Sequence, residues 1–169
     1  MSRARARASL AAALVLAAAA LAAAGATRVL EGRVVAIRDG DSFELRVGKR
    51  RVGVRIHGID APERGQAWAE RSKQALARRV AGRDVRVLEV DVDRYGRHVG
   101  EVYADGVCVG CELVREGHAW VYRRYTHDPV LPDLEAQARA ARRGLWSLPA
   151  AQRTPPWEWR ASARARPLP

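Results

Sequence analysis

The chain is poor in cysteine, in aromatic residues and in acidic residues. It has two cysteines among its 169 residues, and aromatic side chains make up only 6% of it. Two cysteines are too few for a fold held together by disulfides, so a hydrophobic core must supply the stability. Acidic side chains are also scarce, with 19 Asp and Glu against 30 Lys and Arg, which gives a net charge of +11. This surplus predicts a polyanionic partner, either nucleic acid or an acidic membrane surface.

The first 26 residues are organised like a secretory signal peptide. Three arginines, the last of them Arg7, precede an uncharged run from Ser9 to Ala24, and Ala24-Gly25-Ala26 then supplies the small residues of a cleavage site. As a helix this run would span about 24 Å, less than the roughly 30 Å hydrocarbon core of a bilayer. The sequence therefore predicts a secreted or periplasmic protein that begins at Thr27. An uncleaved segment that tethers the chain to a membrane is the alternative.

The following residues, 27–148, combine strand and helix patterns in one domain. Segments rich in β-branched or alternating apolar residues predict five strands, separated by turns with Asp or Gly, at 29–38, 42–47, 51–59, 84–92 and 97–103. Helical periodicity predicts helices over 66–81 and 111–116, and a last helix that begins at 131 and stops around Gly144. Five short strands with interspersed helices predict an α+β fold in which a small closed barrel has about three helices packed on it.

Two further segments are less informative. Residues 149–169 are rich in Pro and Arg, which predicts a flexible basic tail, and we expect its Trp157-Glu158-Trp159 segment to dock on the domain. Cys108 and Cys111 are three residues apart, and either two buried free thiols or a local disulfide would explain them. A structural zinc site would require two more ligands, which the nearby sequence does not provide.

The scarce acidic residues fall beside turns, where their carboxylates can converge. Asp39-Gly40-Asp41 follows the first strand, and Asp60-Ala61-Pro62-Glu63 follows the third. Arg55 lies on the open face of the strand that leads to Asp60, and Arg97 follows a turn. Hard cations need several oxygen ligands, and guanidinium groups bind phosphate oxygens in a bidentate manner. Fixed cations beside a phosphate, together with a base for water, would make a hydrolytic site. Each motif alone, however, is more often an ordinary turn, a capped helix or a surface charge.

In this order and at this spacing, four motifs resemble the staphylococcal-nuclease-like (thermonuclease) family. They are Val35-Ala-Ile-Arg-Asp-Gly-Asp-Ser-Phe43, Val54-Arg-Ile-His-Gly-Ile-Asp-Ala-Pro-Glu63, Asp93-Arg-Tyr-Gly-Arg97 and Leu113-Val-Arg-Glu-Gly-His-Ala-Trp-Val-Tyr122. The similarity extends from about Val29 to Trp146. It implies a five-stranded OB-type barrel that hydrolyses phosphodiester bonds of DNA and RNA with low sequence specificity and with Ca²⁺ as its cofactor. No protein partner is implied, and we expect a monomer.

The resemblance also implies roles for individual residues. Asp41 and Asp60 are similar to the calcium-binding carboxylates, and the main-chain carbonyl of Ala61 is similar to a further ligand. Glu63 matches the carboxylate assigned to activating water. Four positions correspond to residues that line the nucleotide site: Arg94, Tyr95, Tyr122 and Tyr125. Arg123, however, stands where the family would have a stacking tyrosine. The arginines that grip the phosphate correspond to Arg55 and Arg97.

Two other classes of protein share some of these features. A non-catalytic OB-type nucleic-acid-binding module needs only basic charge and this fold, and a membrane-surface protein could be held by the basic flanks. A binding module would lack one or more of the carboxylate and arginine positions. All five are present in this chain, which favours the enzyme.

Overall fold

The computed structural model describes residues 28–126 and 128–165, so the predicted signal peptide lies outside the described part. These residues form eight strands, four α-helices and two short 3-10 helices. The strands are β1 (Val29–Ile37), β2 (Ser42–Val47), β3 (Arg50–Ile56), β4 (Ile59–Asp60), β5 (Asp84–Val92), β6 (His98–Ala104), β7 (Val107–Cys108) and β8 (Trp120–Val121). The α-helices are α1 (Ala69–Val80), α2 (Val109–Arg115), α3 (Val130–Ala140) and α4 (Pro156–Ala165), and the 3-10 helices are Gly144–Ser147 and Ala150–Gln152.

Five of the strands form the closed barrel that the sequence predicts. They are hydrogen-bonded in the order β3-β2-β1-β5-β6, and a parallel pairing of β3 with β6 closes the sheet. The other neighbours within the barrel are antiparallel. β4 and β8 form a separate two-stranded sheet in which Asp60 pairs with Trp120. This small sheet therefore joins the acidic segment after β3 to the aromatic segment after α2.

The alternating pattern of β3 separates a core face from an open face. Val54 and Ile56 are buried, whereas Gly53 and Arg55, on the opposite face, are only half-buried. The core that β3 faces is built from large apolar side chains of the barrel and of α1, α2 and α3, including Phe43, Leu45, Leu76, Val87, Leu113 and Leu134. Because the core faces only one side of the strand, the other side is free to present Arg55.

The three predicted helices are present, with shifted ends. α1 begins at Ala69 rather than at residue 66, and α2 occupies Val109–Arg115. α3 ends at Ala140, a few residues before the stop around Gly144 that the sequence predicted. The chain leaves the helix because Arg142 and Gly144 adopt positive φ angles of 51° and 55°, which a right-handed helix does not allow. The remaining apolar residues lie in the 3-10 helix Gly144–Ser147.

The prediction of a flexible tail is wrong for residues 156–165, which form the fourth helix α4. Pro156 is its first residue, and proline is well suited to that position because the first helical N–H groups have no partner within the helix. Trp157 packs against a group of buried aromatic and apolar side chains, as expected for a docked segment. The sequence suggested disorder because proline and arginine dominate the composition, which hides a helix of only ten residues.

Cys108 and Cys111 are joined by a disulfide, so the second of the two open alternatives is the one present. The bridge connects the end of β7 to the first turn of α2. Across the described ranges, no helix is both long enough and apolar enough to cross a bilayer.

Candidate active site

Asp41, Arg55 and Asp60 converge beside the open face of β3. The Arg55 guanidinium donates from Nη1 to Asp41 Oδ1 at 3.1 Å and from Nη2 to Asp60 Oδ1 at 2.7 Å. The main-chain N–H of Ala61 donates to the other oxygen of Asp41, Oδ2, at 2.8 Å. Four residues that the sequence singles out therefore belong to one hydrogen-bonded group.

The turn after β1 places Asp41 against the segment after β4. Asp39 accepts the N–H of Asp41 at its Oδ1, at 3.0 Å, which fixes the turn. A Cβ atom at Gly40 would lie 2.7 Å from the Cβ atoms of both Ala61 and Ser72. Since side chains do not approach so closely, glycine is required here for the turn to pack against Ala61 and α1. The Asp-Gly-Asp motif is thus a packing requirement as well as a turn signal.

Burial changes the acid–base properties of this group. The side chains of Asp41 and Asp60 are 4% and 1% exposed. Desolvation by burial raises the pKa of Asp41 to about 8; Asp39 and Asp60 act in the same direction, while Arg55 opposes them. Burial by itself would lower the pKa of Arg55, but the two carboxylates outweigh it and raise that pKa. A cation that replaced the proton of Asp41 would therefore stabilise a buried anion.

Glu63 joins this group through an arginine from the C-terminal helix. Arg160, on α4, donates from Nη1 to Asp60 Oδ1 at 3.1 Å and from Nη2 to Asp60 Oδ2 at 2.7 Å. The same Nη1 donates to Glu63 Oε1 at 2.5 Å. Asp60 and Glu63 hold the pKa of Arg160 above its ordinary value despite partial burial. Asp60 is consequently paired with two guanidinium groups, one from the barrel and one from α4.

Arg97 lies over the same open face of β3 as Arg55. A Cβ atom at Gly53, which shares that face, would meet Cγ of Arg97 at 3.2 Å. Asp93 holds the Arg97 guanidinium through Nε and Nη2, each 2.7 Å from its Oδ2 atom. Burial acts to raise the pKa of Asp93, but hydrogen bonds from Arg97 outweigh burial and leave this pKa below its ordinary value. Asp93 therefore orients Arg97, which takes no part in the hydrogen bonds that join Asp41, Arg55 and Asp60.

The four predicted nucleotide-binding residues lie in two places. Arg94 and Tyr95 are in the turn before β6, where the Arg94 guanidinium lies 4.9 Å from the centre of the Tyr95 ring, which is 70% exposed. Tyr122 and Tyr125 follow β8 and have ring centres 4.8 Å apart. Tyr122 is also stacked on Trp157 of α4, with ring centres 5.4 Å apart and planes within 2° of parallel. One ring face of Tyr122 is therefore covered by the C-terminal helix.

The carboxylates can serve a metal ion by the chemistry of their donor atoms. Within the described ranges, no three side chains of His, Cys, Asp or Glu lie close enough together to hold a metal ion by themselves. The predicted set contains only two such side chains, Asp41 and Asp60, and the carbonyl of Ala61, which are all hard oxygen donors. The Arg160 guanidinium between Asp60 and Glu63 shows that this position accommodates a cation. The donor set therefore fits a hard divalent ion.

Comparison with known proteins matches the sequence to a family. Residues 53–148 match the model of the staphylococcal nuclease homologue family, which is more than half of the chain. The chain belongs to that family. It is 46% identical over 132 residues to a protein of Escherichia coli O157:H7 named uncharacterized endonuclease, which covers 78% of this chain and 85% of that protein. It is 42% identical over 144 residues to a micrococcal nuclease of Shigella flexneri, covering 79% of this chain and 82% of that protein.

Membership in the staphylococcal nuclease homologue family identifies the protein as a hydrolase of nucleic acids, and the family is one of metal-dependent nucleases. The predicted family and the predicted enzyme class are thereby confirmed. A third relative, protein ParB of Escherichia coli, is 43% identical over 148 residues, which cover 81% of this chain and 82% of that protein. The roles of individual residues stay predictions.

Sequence reasoning missed the contribution of α4 to this site. Arg160 belongs to none of the four motifs, and it lies 97 residues from Glu63 in the chain. The only sequence signal is local: Pro156 can begin a helix, and Trp157 and Arg160, three residues apart, then share a face. That signal predicts an amphipathic turn but not the surface against which it packs.

Proposed function

We propose that this member of the staphylococcal nuclease homologue family is a Ca²⁺-dependent endonuclease. It cleaves DNA and RNA with low sequence specificity, and it acts as a monomer outside the cytoplasm. The convergence of Asp41, Arg55 and Asp60 is the observation that supports this function most strongly. The signal-like residues 1–26 support the location, and the disulfide between Cys108 and Cys111 is typical of an oxidising compartment.

The acidic residues have distinct roles in this proposal. Asp41, Asp60 and the carbonyl of Ala61 hold the Ca²⁺ ion, which when bound supplies Lewis-acid stabilisation of the phosphate and of the attacking water. Burial raises the pKa of Asp41, so a cation bound at this position would stabilise its charged form. Glu63 is 38% exposed and can therefore reach a water molecule, from which it accepts the proton during attack.

The two arginines of the barrel act on the phosphate. Arg55 is held in a fixed orientation by two carboxylates, and Arg97 by Asp93. Fixed guanidinium groups cannot deprotonate at any working pH, and they stabilise the charge that accumulates on the phosphate oxygens in the transition state. Contacts to phosphate carry no information about base sequence, which is why we expect low specificity.

The test compares wild-type protein with Glu63→Gln on DNA and on RNA. We expect both substrates to be cleaved internally with Ca²⁺ and cleavage to stop when a chelator is added. Glu63→Gln should reduce kcat by roughly 10²–10⁴, the usual effect of removing a general base, while DNA binding persists. Glu70→Gln, at an exposed position of α1, is the control for loss of one acidic charge. Cleavage that continues in chelator, or normal turnover of Glu63→Gln at saturating Ca²⁺, would contradict the proposal.

A further inference from the structure

The C-terminal helix α4 contacts the proposed active site at two separate points. Arg160 forms hydrogen bonds with both oxygens of Asp60 and with Glu63. One turn earlier on the same helix face, Trp157 is stacked in parallel on the ring of Tyr122. Trp157 also packs edge-on against Trp120, the residue that pairs with Asp60 across the β4–β8 sheet. A single helix face therefore covers the acidic and the aromatic parts of the site.

Arg160 occupies the same carboxylate oxygens that Asp60 and Glu63 need for their proposed roles. The Oε1 atom of Glu63 accepts a charged hydrogen bond from Nη1, 2.5 Å away, so Arg160 occupies a position from which a water molecule would contact that atom. Both oxygens of Asp60 are likewise engaged, and a divalent cation next to a guanidinium group would be repelled by it. Arg160 therefore competes with a metal ion for the carboxylate of Asp60.

The contact of Trp157 conflicts with base binding in a similar way. Aromatic side chains bind bases by offering a free ring face for stacking. The Tyr122 ring lies parallel to the Trp157 ring with centres 5.4 Å apart, which is the arrangement that a stacked base would adopt. A base that stacked on this face would have to displace Trp157.

The helix α4 buries little of its own surface against the domain. Pro156 is the only buried residue of this helix, and residues 161–165 are all exposed. The ion pair of Arg160 with Glu63 is partly solvated, since the two side chains are 30% and 38% exposed. A ten-residue helix is also unstable in water without packing against the domain, so release of α4 would lead to its unfolding.

We propose that α4 is an autoinhibitory cover, in which Arg160 occupies the place of the metal ion and Trp157 the place of a base. Ca²⁺ and nucleic acid bind together by displacing it. This proposal rests on the proposed function, because it requires that Asp60 and Glu63 serve the metal ion and the attacking water. It adds a form of regulation in which the uncovered site is most stable when both ligands are present.

The first test measures Ca²⁺ binding by titration calorimetry, in the full chain and without substrate. Removing the competing cation in Arg160→Gln should tighten Ca²⁺ binding about tenfold or more, as expected from the loss of charged hydrogen bonds. Arg164→Gln removes the same charge from an exposed position of the same helix and should leave the affinity within about twofold of wild type. Unchanged or weaker binding in Arg160→Gln would overturn the proposal.

The second test follows the helix itself by hydrogen exchange in the wild-type protein. Amide protons of residues 157–165 should exchange faster after addition of Ca²⁺ together with a phosphorothioate oligodeoxynucleotide, because the displaced helix unfolds. Slower exchange would show that α4 belongs to the ligand-bound site, and it would overturn the proposal.

The outcomes separate this proposal from the proposed function. If wild-type protein binds Ca²⁺ and cleaves DNA but Arg160→Gln binds Ca²⁺ no more tightly, only the cover is excluded. If neither protein binds Ca²⁺ or cleaves DNA, the proposed function fails and the cover fails with it.

Discussion

Asp60 is paired with two arginines that differ in almost every structural respect. Arg55 belongs to a central strand of the barrel, is 19% exposed and joins two buried carboxylates. Arg160 belongs to a peripheral helix, is 30% exposed and joins Asp60 to the partly exposed Glu63. The distances to Asp60 are the same, 2.7 Å in each case. Equal hydrogen-bond lengths therefore do not indicate equal roles, because the element that carries each guanidinium decides whether it can move away.

The largest expected difference between the two arginines is in turnover. Arg55→Lys should reduce kcat on DNA by about 100-fold or more at saturating Ca²⁺, because an ammonium group cannot replace the planar guanidinium that spans two carboxylates and faces the phosphate. Arg160→Lys should stay within a few-fold of wild type, because the cover must leave before catalysis. Arg51→Lys, at an exposed position of β3, is the control. Equal losses in the two lysine variants would mean that Arg160 acts in catalysis as well.

A smaller difference is expected in the stability of the protein without Ca²⁺. Arg55→Gln leaves the buried carboxylates of Asp41 and Asp60 without their shared partner and should lower the free energy of unfolding by about 3–5 kcal/mol. Arg160→Gln leaves the buried Asp60 paired with Arg55 and leaves Glu63 partly solvated, so it should cost less, about 1 kcal/mol. Urea unfolding in chelator measures both values. A loss in Arg160→Gln as large as that in Arg55→Gln would show that α4 is an integral part of the fold.

The same contrast explains what could be predicted from the sequence. The barrel was predictable because alternation marks its strands and turn residues mark the strand ends, whereas the grouping of Asp41, Arg55 and Asp60 into one site was implied by the resemblance to the family. Arg160 was not predictable, because its partners are about 100 residues away in the chain and the surface under α4 is created by tertiary packing. Helix ends were missed for a local reason, since positive φ angles such as that of Arg142 have no clear signal in the sequence.

A titratable histidine adjoins the aromatic group against which Trp157 packs, and it gives the smallest expected effect. Trp68 belongs to the aromatic group that also holds Trp157, and its Nε1–H donates to Nδ1 of His118 at 3.1 Å. Burial lowers the pKa of His118; Glu116 acts to raise it, and Arg78 and Arg79 act to lower it further. Protonation of Nδ1 would remove the acceptor for Trp68, so the folded protein favours the neutral ring.

The sign of the pH effect follows from this lowered pKa. In the unfolded chain His118 takes up a proton near pH 6.5, whereas in the folded protein it does so only at a lower pH. Stability is therefore fully present above about pH 7 and decreases as the pH falls from 6.5 towards the lowered value. In thermal unfolding at pH 7.5 and 5.5, His118→Asn should lose less stability than wild type, because its Oδ1 atom accepts the Trp68 N–H at either pH. His57→Asn, at a half-buried histidine outside this pair, is the control. If His118→Asn and wild type lost equal stability between the two pH values, groups other than His118 would cause the pH sensitivity of the fold. Protonation of His118 would then not weaken the aromatic group against which Trp157 packs.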